Sequence, residues 1–365
     1  MDDTSSPRTM AAGALQRFVG DIFAGAGCAR DEAERIARCL IAANLAGHDS
    51  HGVIRTPAYV EWLRVGRVRA GQSISIVDES ATHATVDGNF GFGQTVVPQA
   101  VDLGIAKAKA AGLSAIALRN SGHAGRIGDW AERAAAAGLV SIHFVNVPGG
   151  PLVAPFGGVD RRFSTNPFCV GIPGDEGSPL LLLDFATSLV AEGKVQVASR
   201  GGKQVPEGAL IRPNGQFTND PEALYGPLVP AGPRDSGKGD GALVAFGLHK
   251  GSGLAFMCEI LAGVLSGGET SGPIRPGITH FGNSMLSIYL SPAHFGATDF
   301  VRHVREYVAY VKSSRPVAPG VGVLTPGEPE ARSRAERLAN GIPLQADTWA
   351  AIVATARSVG VQPPA

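Results

Sequence analysis

The sequence predicts a mixed α/β fold in which layers pack around a mixed sheet. Strand-like runs and helical stretches alternate between residues 84 and 147, an order typical of layered α/β cores. Residues 10–65 instead carry apolar positions at three- and four-residue steps, which predict helices. The 49 glycines are scattered through apolar segments, a distribution that indicates tight turns and not disorder.

Composition limits the partners of the chain. Lysine and arginine together number 32, as do aspartate and glutamate, so we expect neither nucleic acid nor an anionic membrane surface as a partner. With 44% hydrophobic residues, 365 residues suit one large domain or two intertwined ones. No apolar run reaches the ~18 residues of a membrane span. The longest, 254–265, contains Glu259 and predicts a buried helix.

Cysteine spacing predicts the compartment. Cys28, Cys39, Cys169 and Cys258 are far apart and form no Cys-x-x-Cys pair. We therefore expect free thiols in a reducing cytoplasm and no metal site. Residues 1–7 lack the basic and apolar segments of a signal peptide, so none is expected.

Local patterns predict the elements in chain order. Helices are expected in the range 10–45 (two), then at 56–65, from about 97 to 106, at 130–137, up to Lys194, and at 254–265, 300–312 and 331–338. Strands are expected at 73–77, 84–86, 113–118, 140–147, 180–183 (buried) and 287–290. The ranges 149–173, 200–238 and 266–283 are rich in glycine, proline or turn signals and are expected to be irregular.

A polar stretch, Asp49-Ser50-His51-Gly52 followed by Arg55, is the first candidate site. It places a carboxylate, a hydroxyl, an imidazole and a guanidinium between two predicted helices, where a rigid scaffold can hold functional groups. The alternative is structural, because Asp and Ser often cap helices.

Three further stretches place polar groups at the ends of predicted elements. His123 lies between glycines in 120–125, which would let a ligand approach the backbone; the alternative is a solvent-facing loop residue. Asp184 follows four leucines and is either functional or the cap of the next helix. Lys250 opens an apolar helix and suits an anion.

Two familiar nucleotide and hydrolase signatures are missing. Residues 237–242 fit G-x-G-x-x-A by letters, but they follow a proline-rich loop and not a strand, so they do not predict a Rossmann domain. No Gly-x-Ser-x-Gly elbow is present, which disfavours serine-hydrolase chemistry.

Taken together, the motifs occur in a characteristic order: Asp49-Ser50-His51-Gly52 with Arg55, 120–125, 151–158, Thr165-Asn166-Pro167, 184–188, Gly193-Lys194, His249-Lys250-Gly251 and 326–330. In these motifs the chain resembles the type-2 malate/L-lactate dehydrogenase family over residues 10–350. This family also contains ureidoglycolate, sulfolactate and diketogulonate oxidoreductases and a cyclic-imine (piperideine or pyrroline) carboxylate reductase.

The resemblance implies an oxidoreductase that uses NAD or NADP to interconvert a 2-hydroxy acid and its 2-oxo form. It implies that His51 is the proton donor and acceptor, with Ser50 and Asp184 in the catalytic machinery, and His123 as a second candidate for that role. Arg55 and Thr165 would bind the substrate. The implied cofactor contacts are His123, Asn146, Asp184, Phe185, Ala186, Lys250, His303 and Arg305.

The resemblance also implies a non-Rossmann nicotinamide domain, at 119–299, and a helical domain for substrate and dimerisation built from 1–118 and 300–365. A cytoplasmic homodimer is expected. The sequence leaves open the substrate, the choice between NAD and NADP, the physiological direction and whether His51 or His123 handles the proton. A cyclic-imine reductase, a ureidoglycolate dehydrogenase or an inactive nicotinamide-binding protein are the alternatives.

Overall fold

The computed structural model describes residues 8–175, 177, 179–201, 204–227, 235–272 and 282–364, without the side chains of residues 200 and 201. The prediction about a signal peptide therefore lies outside the described residues, as do parts of the two irregular stretches predicted at 200–238 and 266–283.

Eleven helices are described in these ranges. They are α1 Ala12–Gly25, α2 Arg30–Leu45, α3 Thr56–Arg64, α4 Gly93–Ala111, α5 Gly128–Ala136, α6 Glu192–Gly201, α7 Glu222–Tyr225, α8 His249–Cys258, α9 Phe300–Lys312, α10 Glu328–Asn340 and α11 Ala346–Ser358. Short 3₁₀ turns lie at Asp49–His51, Val53–Arg55 and Pro292–Phe295, and a π-helical turn at Glu259–Val264 continues α8.

The strands form three sheets. They are β1 Arg8–Met10, β2 Ser75–Glu79, β3 His83–Asp87, β4 Leu113–Ser121, β5 Val140–Asn146, β6 Val153–Ala154, β7 Phe168–Pro173, β8 Pro179–Phe185, β9 Leu210–Ile211, β10 Phe217–Thr218, β11 Ala242–Val244, β12 Asn283–Leu290 and β13 Ile342–Leu344. The largest sheet has seven strands in the order β2-β3-β4-β12-β5-β7-β8, a second has the order β10-β9-β11-β6, and β1 pairs with β13.

The large sheet is mixed, as predicted, because β3 and β4 are parallel while β12 is antiparallel to both of its neighbours. The late strand β12 lies between β4 and β5, with Asn283 opposite Ser121 and Ser284 opposite Asn146. This insertion brings the carboxyl ends of β4 and β5 to one edge of the sheet, beside the residues that follow β4.

Both chain ends share one helical core. Buried residues of α1, α2 and α3 pack with Trp349 and Ile352 of α11, and β1 pairs with β13. The prediction of a helical unit formed by both ends is therefore confirmed. Its boundaries stay a prediction; the one after residue 118 falls inside β4, whose sheet also includes β2 and β3.

Two burial predictions were wrong. The predicted buried helix 254–265 corresponds to part of α8 plus the π-helical turn. Ala255, Cys258, Glu259 and Ala262 are buried, but Phe256 and Leu265 are 50% and 60% exposed. The predicted buried strand 180–183 lies in β8, an edge strand, and Leu183 is 38% exposed. An apolar run alone does not reveal which face of an element another layer covers.

The region 149–173 is not wholly irregular, since it contains β6 and β7. The elements β13 and α11 were not predicted at all. Among the described residues, no helix is long and apolar enough to cross a membrane. All four cysteines are free thiols.

Candidate active site

Asn44, near the end of α2, fixes the polar turn (residues 48–55) through two hydrogen bonds. The Asn44 amide donates to Asp49 Oδ1 at 2.6 Å, and its oxygen accepts from the Val53 N–H at 2.8 Å. A Cβ on Gly52 would lie 2.2 Å from the Asn44 side chain, so only glycine fits there. The capping alternative is wrong for Asp49, because its carboxylate binds Asn44 and Arg337 and no helix N–H.

The structure brings His51 and His123 together. Their rings are nearly parallel, at 12°, with centroids 5.5 Å apart. Ser50 Oγ lies 3.1 Å from His51 Nδ1, and Arg55 Nε donates to the Ser50 carbonyl oxygen at 2.6 Å. The two separately predicted stretches thus form one half-buried histidine pair beside a guanidinium.

Tyr59 holds the second ring of the pair. Its hydroxyl lies 2.5 Å from His123 Nδ1, and the Gln94 amide nitrogen lies 3.3 Å from both the Tyr59 oxygen and the His123 carbonyl oxygen. A carbonyl only accepts, so Gln94 presents its NH₂ group to both partners. Tyr59 therefore accepts from Gln94 and donates to Nδ1, which places the proton of a neutral His123 ring on Nε2.

Burial keeps both imidazoles neutral. Burial, with a smaller contribution from the Arg55 charge, lowers the pKa of His123 to about 3. Burial also lowers the pKa of His51 well below its usual 6.5, and the charges of His123 and Arg55 act in the same direction. A neutral imidazole presents one N–H donor and one acceptor nitrogen, so the pair can either give or take a proton.

Asp184 caps a helix, but not the one that follows it. Its Oδ2 accepts from the Gly128 N–H at the start of α5, at 2.7 Å. Burial raises the pKa of Asp184, while His48 and Arg126 oppose that rise. The charge of His48, in the polar turn, thus acts on the Asp184 carboxyl group.

Arg126 was not predicted, and it is the most deeply buried charge near the site. Its side chain is 0% exposed and binds Asp129 at 2.8 Å and Glu132 at 2.9 Å through Nη1. Nε lies 4.0 Å from Asp184, and among the residues that the structure describes neither Nε nor Nη2 has a hydrogen-bond partner. Burial raises the pKa of Asp129 to about 6, although the Arg126 charge opposes the rise.

The residues after β8 form the second half of the candidate site. Thr187 donates its N–H and its hydroxyl to the Thr165 carbonyl oxygen, at 2.9 and 3.0 Å. The Phe185 ring meets Phe246 edge-on at 5.2 Å, and Lys250 is exposed in the first turn of α8. The predicted residues Thr165, Phe185 and Lys250, with Ala186 beside Phe185, thus lie on adjoining segments.

The first-turn N–H groups of α8 are less available than the sequence suggested. Lys250 N donates to Gly247 O, and Gly251 N donates to Phe246 O. The Lys250 ammonium, and not the helix terminus, is therefore the cationic feature of this stretch.

Asn146 is buried and fully engaged as a donor. Its amide nitrogen donates to Glu259 Oε2 at 3.1 Å and to Glu269 O at 2.7 Å, and its oxygen accepts from Ser284 N at 3.2 Å. Glu259 lies in the π-helical turn and also accepts from Asn166, at 2.8 Å. Both side-chain N–H groups of Asn146 are thus engaged within the chain, and its predicted cofactor contact stays a prediction.

The residues of this half nevertheless fit a nicotinamide nucleotide. Asn166 Oδ1 is buried and lacks a hydrogen-bond partner in the described part of the chain, so it can accept from an amide N–H of a ligand. Lys250 supplies a cation for a phosphate, and Phe185 an apolar surface.

Two predicted cofactor residues lie on α9 instead of at this site. Arg305 pairs with Asp175, and Arg302 donates to His303 at 3.1 Å. None of the contacts that the structure records for them involves the histidine pair. Across the described residues, no group of three His, Cys, Asp or Glu side chains could hold a metal ion.

Sequence reasoning assigned no role to Tyr59, Gln94, Asn44, Asn166 or Arg126, although Asn166 lies in the quoted Thr165-Asn166-Pro167 motif. Tyr59 carried a spacing signal: it follows Arg55 by four residues, the spacing that places two side chains on one helix face. The contacts of Gln94 and Asn166 join distant segments, whereas Asn44 and Arg126 contact residues three to nine positions away.

The fold and the site define a mixed α/β protein in which a stacked imidazole pair lies beside a guanidinium, with Thr165, Phe185 and Lys250 on adjoining segments. The chain belongs to the malate/L-lactate dehydrogenase family, whose model matches residues 10–353.

Individual relatives agree with this assignment. The chain is 45% identical to hydroxycarboxylate dehydrogenase B of Escherichia coli O157:H7, over 95% of this chain and 93% of that protein. It is 34% identical to a Δ1-pyrroline-2-carboxylate/Δ1-piperideine-2-carboxylate reductase of Pseudomonas putida, over 82% and 84%. A solved structure of a candidate malate/lactate dehydrogenase from E. coli superposes with a TM-score of 0.88 at 44% identity, covering 97% of this chain and 96% of that one.

Proposed function

We propose that the protein is an NAD(P)-dependent oxidoreductase that transfers hydride between nicotinamide and a 2-hydroxy acid or its 2-oxo form. The observation that carries the proposal is the stacked His51–His123 pair beside Arg55, in a chain of this family. A bound nicotinamide supplies or accepts the hydride. The protein must then bind the acid, orient it and move one proton.

Arg55 is the proposed carboxylate-binding residue. Its Nε is engaged by Ser50 O, which directs the guanidinium and leaves the two terminal nitrogens as donors for a bidentate carboxylate. Such a pair of parallel hydrogen bonds fixes the orientation of the adjacent carbon.

His51 is the proposed proton donor and acceptor, with Ser50 Oγ at its Nδ1. His123 is the second ring of the pair and is kept in one tautomer by Tyr59. In the oxidation direction neutral His51 takes the hydroxyl proton of the substrate; in the reduction direction the protonated ring, stabilised beside the developing substrate oxyanion, returns that proton. Asp184, near Arg126 and His48, tunes the charge next to the pair.

The test is a panel of 2-oxo acids and cyclic imines, each assayed by oxidation of NADH and of NADPH. We expect His51→Gln to lower kcat by about 100-fold or more, the usual contribution of a general acid or base. A larger loss in His123→Gln than in His51→Gln would exchange the two roles. Arg55→Ala should mainly raise KM for the acid, and an unchanged KM would exclude its carboxylate role.

A cyclic-imine carboxylate reductase is the second candidate, favoured by the 34% identity to such a reductase. Both substrate classes present a carboxylate next to the carbon that receives hydride, so the same Arg55 contact serves either. Activity confined to cyclic imines would select this function. Absence of any quenching of NADH or NADPH fluorescence would indicate instead that the chain lacks nicotinamide chemistry.

We also propose a homodimer. Helix α9 has no buried residue, and its Tyr307 and Tyr310 side chains are 65% and 73% exposed. Val317, which follows the helix, is also largely exposed. The apolar side of α8 that carries Phe256 and Met257 is similarly uncovered. Light scattering should report twice the chain mass of 37.5 kDa.

A further inference from the structure

Helix α10 presents one face to the polar turn, although nearly 290 residues separate them in sequence. Glu330, Ser333, Arg334 and Arg337 follow the spacing i, i+3, i+4, i+7, which places them along one side of the helix. Each of the four contacts a residue outside α10.

Two of these side chains hold the polar turn itself. Arg337 binds both Asp49 oxygens, at 2.5 and 3.0 Å, and also donates to the Asn44 carbonyl oxygen at 2.5 Å. Glu330 Oε1 lies 3.2 Å from His48 Nε2. The turn is therefore held at its first two residues, immediately before Ser50 and His51.

Ser333 adds a steric contact between these two. Gly47, with φ +82°, packs against it so closely that a Cβ there would lie 3.0 Å from the Ser333 hydroxyl oxygen. The helix thus meets three consecutive residues, Gly47, His48 and Asp49, of which the last two belong to the polar turn.

The start of the same helix is attached to the strand that carries Asp184. Pro326 O accepts from Leu182 N at 3.1 Å, and a Cβ on Gly327 would lie 3.2 Å from Leu182. Nearly two turns into the helix, Arg334 binds Glu132 at 2.9 and 3.2 Å, and Glu132 also binds the buried Arg126.

We propose that α10 sets the position of His51 relative to Asp184, with Arg337 and Glu330 as the positioning residues of the polar turn. The proposal rests on the proposed function of these two groups.

The exposure of these pairs separates positioning from folding. Asp49 is 51% exposed and Arg337 18%, and ion pairs that water reaches contribute little to global stability. Loss of Arg337 should therefore leave the protein folded while freeing the turn. A displacement of about 1 Å at a reacting group can cost about 100-fold in rate.

The experiment compares Arg337→Ala and Arg337→Lys with Arg332→Ala, an exposed arginine of the same helix outside this face. Pyruvate and oxaloacetate serve as oxidants with NADH and NADPH. We expect kcat to fall at least tenfold in Arg337→Ala, with partial recovery in Arg337→Lys. The Kd for the nicotinamide nucleotide and the Tm should stay unchanged, and Arg332→Ala should match the wild type.

Hydrogen–deuterium exchange of the same variants gives a readout independent of turnover. In Arg337→Ala, exchange should rise in residues 44–55 and stay constant in β5. An unchanged kcat, unchanged exchange in 44–55, or a parallel fall of kcat, nucleotide binding and Tm would overturn the proposal. A wild type that turns over no substrate, with altered exchange in 44–55, would reject the proposed function and leave the structural link intact.

Discussion

Replacing Tyr59 with phenylalanine tests how closely the two histidines work together. The change removes one hydroxyl and keeps the ring that packs against Phe23 and Phe92. The lost hydrogen bond to His123 Nδ1 is worth about 1 kcal/mol, which corresponds to a roughly fivefold change in rate. If His51 handles the proton and His123 supports it, kcat should fall about five- to tenfold, as expected for that single bond.

The same variant should shift the pH profile in a defined direction. Tyr59 donates to a lone pair that exists only on the neutral His123 ring, so its removal raises the pKa of His123. A protonated His123 disfavours protonation of His51, since its charge already lowers the pKa of that ring. The pair should then take up its first proton at a higher pH, and the acidic limb of the kcat/KM profile should move to higher pH.

Initial rates with the best 2-oxo acid, measured across pH, provide the assay. Tyr310→Phe is the matched control, because that hydroxyl is on a side chain 73% exposed on α9. A loss of 100-fold or more would make His123 the principal proton carrier. Rates within twofold of the wild type and an unmoved acidic limb would refute the coupling between the two rings.

Three other changes have defined outcomes. His143 is fully buried between Ser287 and Ser141, and burial lowers its pKa to about 3, below the 6.5 of the unfolded chain. Below about pH 6.5 the unfolded state therefore binds more protons than the folded state, so the free energy of unfolding decreases as the pH is lowered. His143→Gln should remove about 2 kcal/mol of the decrease between pH 7 and 5, measured by denaturant titration. A Cβ at Gly193 would lie 2.8 Å from Ser50 Cβ, so Gly193→Ala should lower kcat about tenfold or more. Gly253→Ala is the control, because the space around Gly253 is open, and it should leave kcat unchanged. Equal values of kcat in the two variants would contradict the contact. Arg126→Met removes the buried cation beside Asp129 and Asp184, while Glu132 keeps its ion pair with Arg334. The change should cost about 3–5 kcal/mol by chemical denaturation, against less than about 1 kcal/mol for the half-exposed Arg133→Met; similar losses would contradict this account.

Much of the fold could be predicted because local patterns carry the relevant physics. The periodic stretches correspond to the helices α1, α2, α3 and α9, each of which buries one side or no side chain at all. The strand-like runs correspond to β4 and β5. The position of β12 could not be predicted, since nothing near residues 283–290 specifies that they pair between β4 and β5.

The candidate site divides in the same way. His51, His123, Arg55 and Asp184 could be selected because polar groups at the ends of apolar elements need a reason to be there. The Tyr59–His123 bond could not, because a tyrosine in an amphipathic helix is usually a core residue.

The distance in sequence between α10 and the polar turn has a consequence for biosynthesis. Residues 48 and 49 leave the ribosome early, but Glu330 and Arg337 follow 282 and 288 positions later. Strand β1 likewise has no pairing strand until β13, at Ile342–Leu344, has been synthesised. A nascent or truncated chain that ends before residue 330 lacks the contacts of α10 with residues 47–49. We expect activity to arise only after α10 and β13 have been synthesised and have docked onto the first segments.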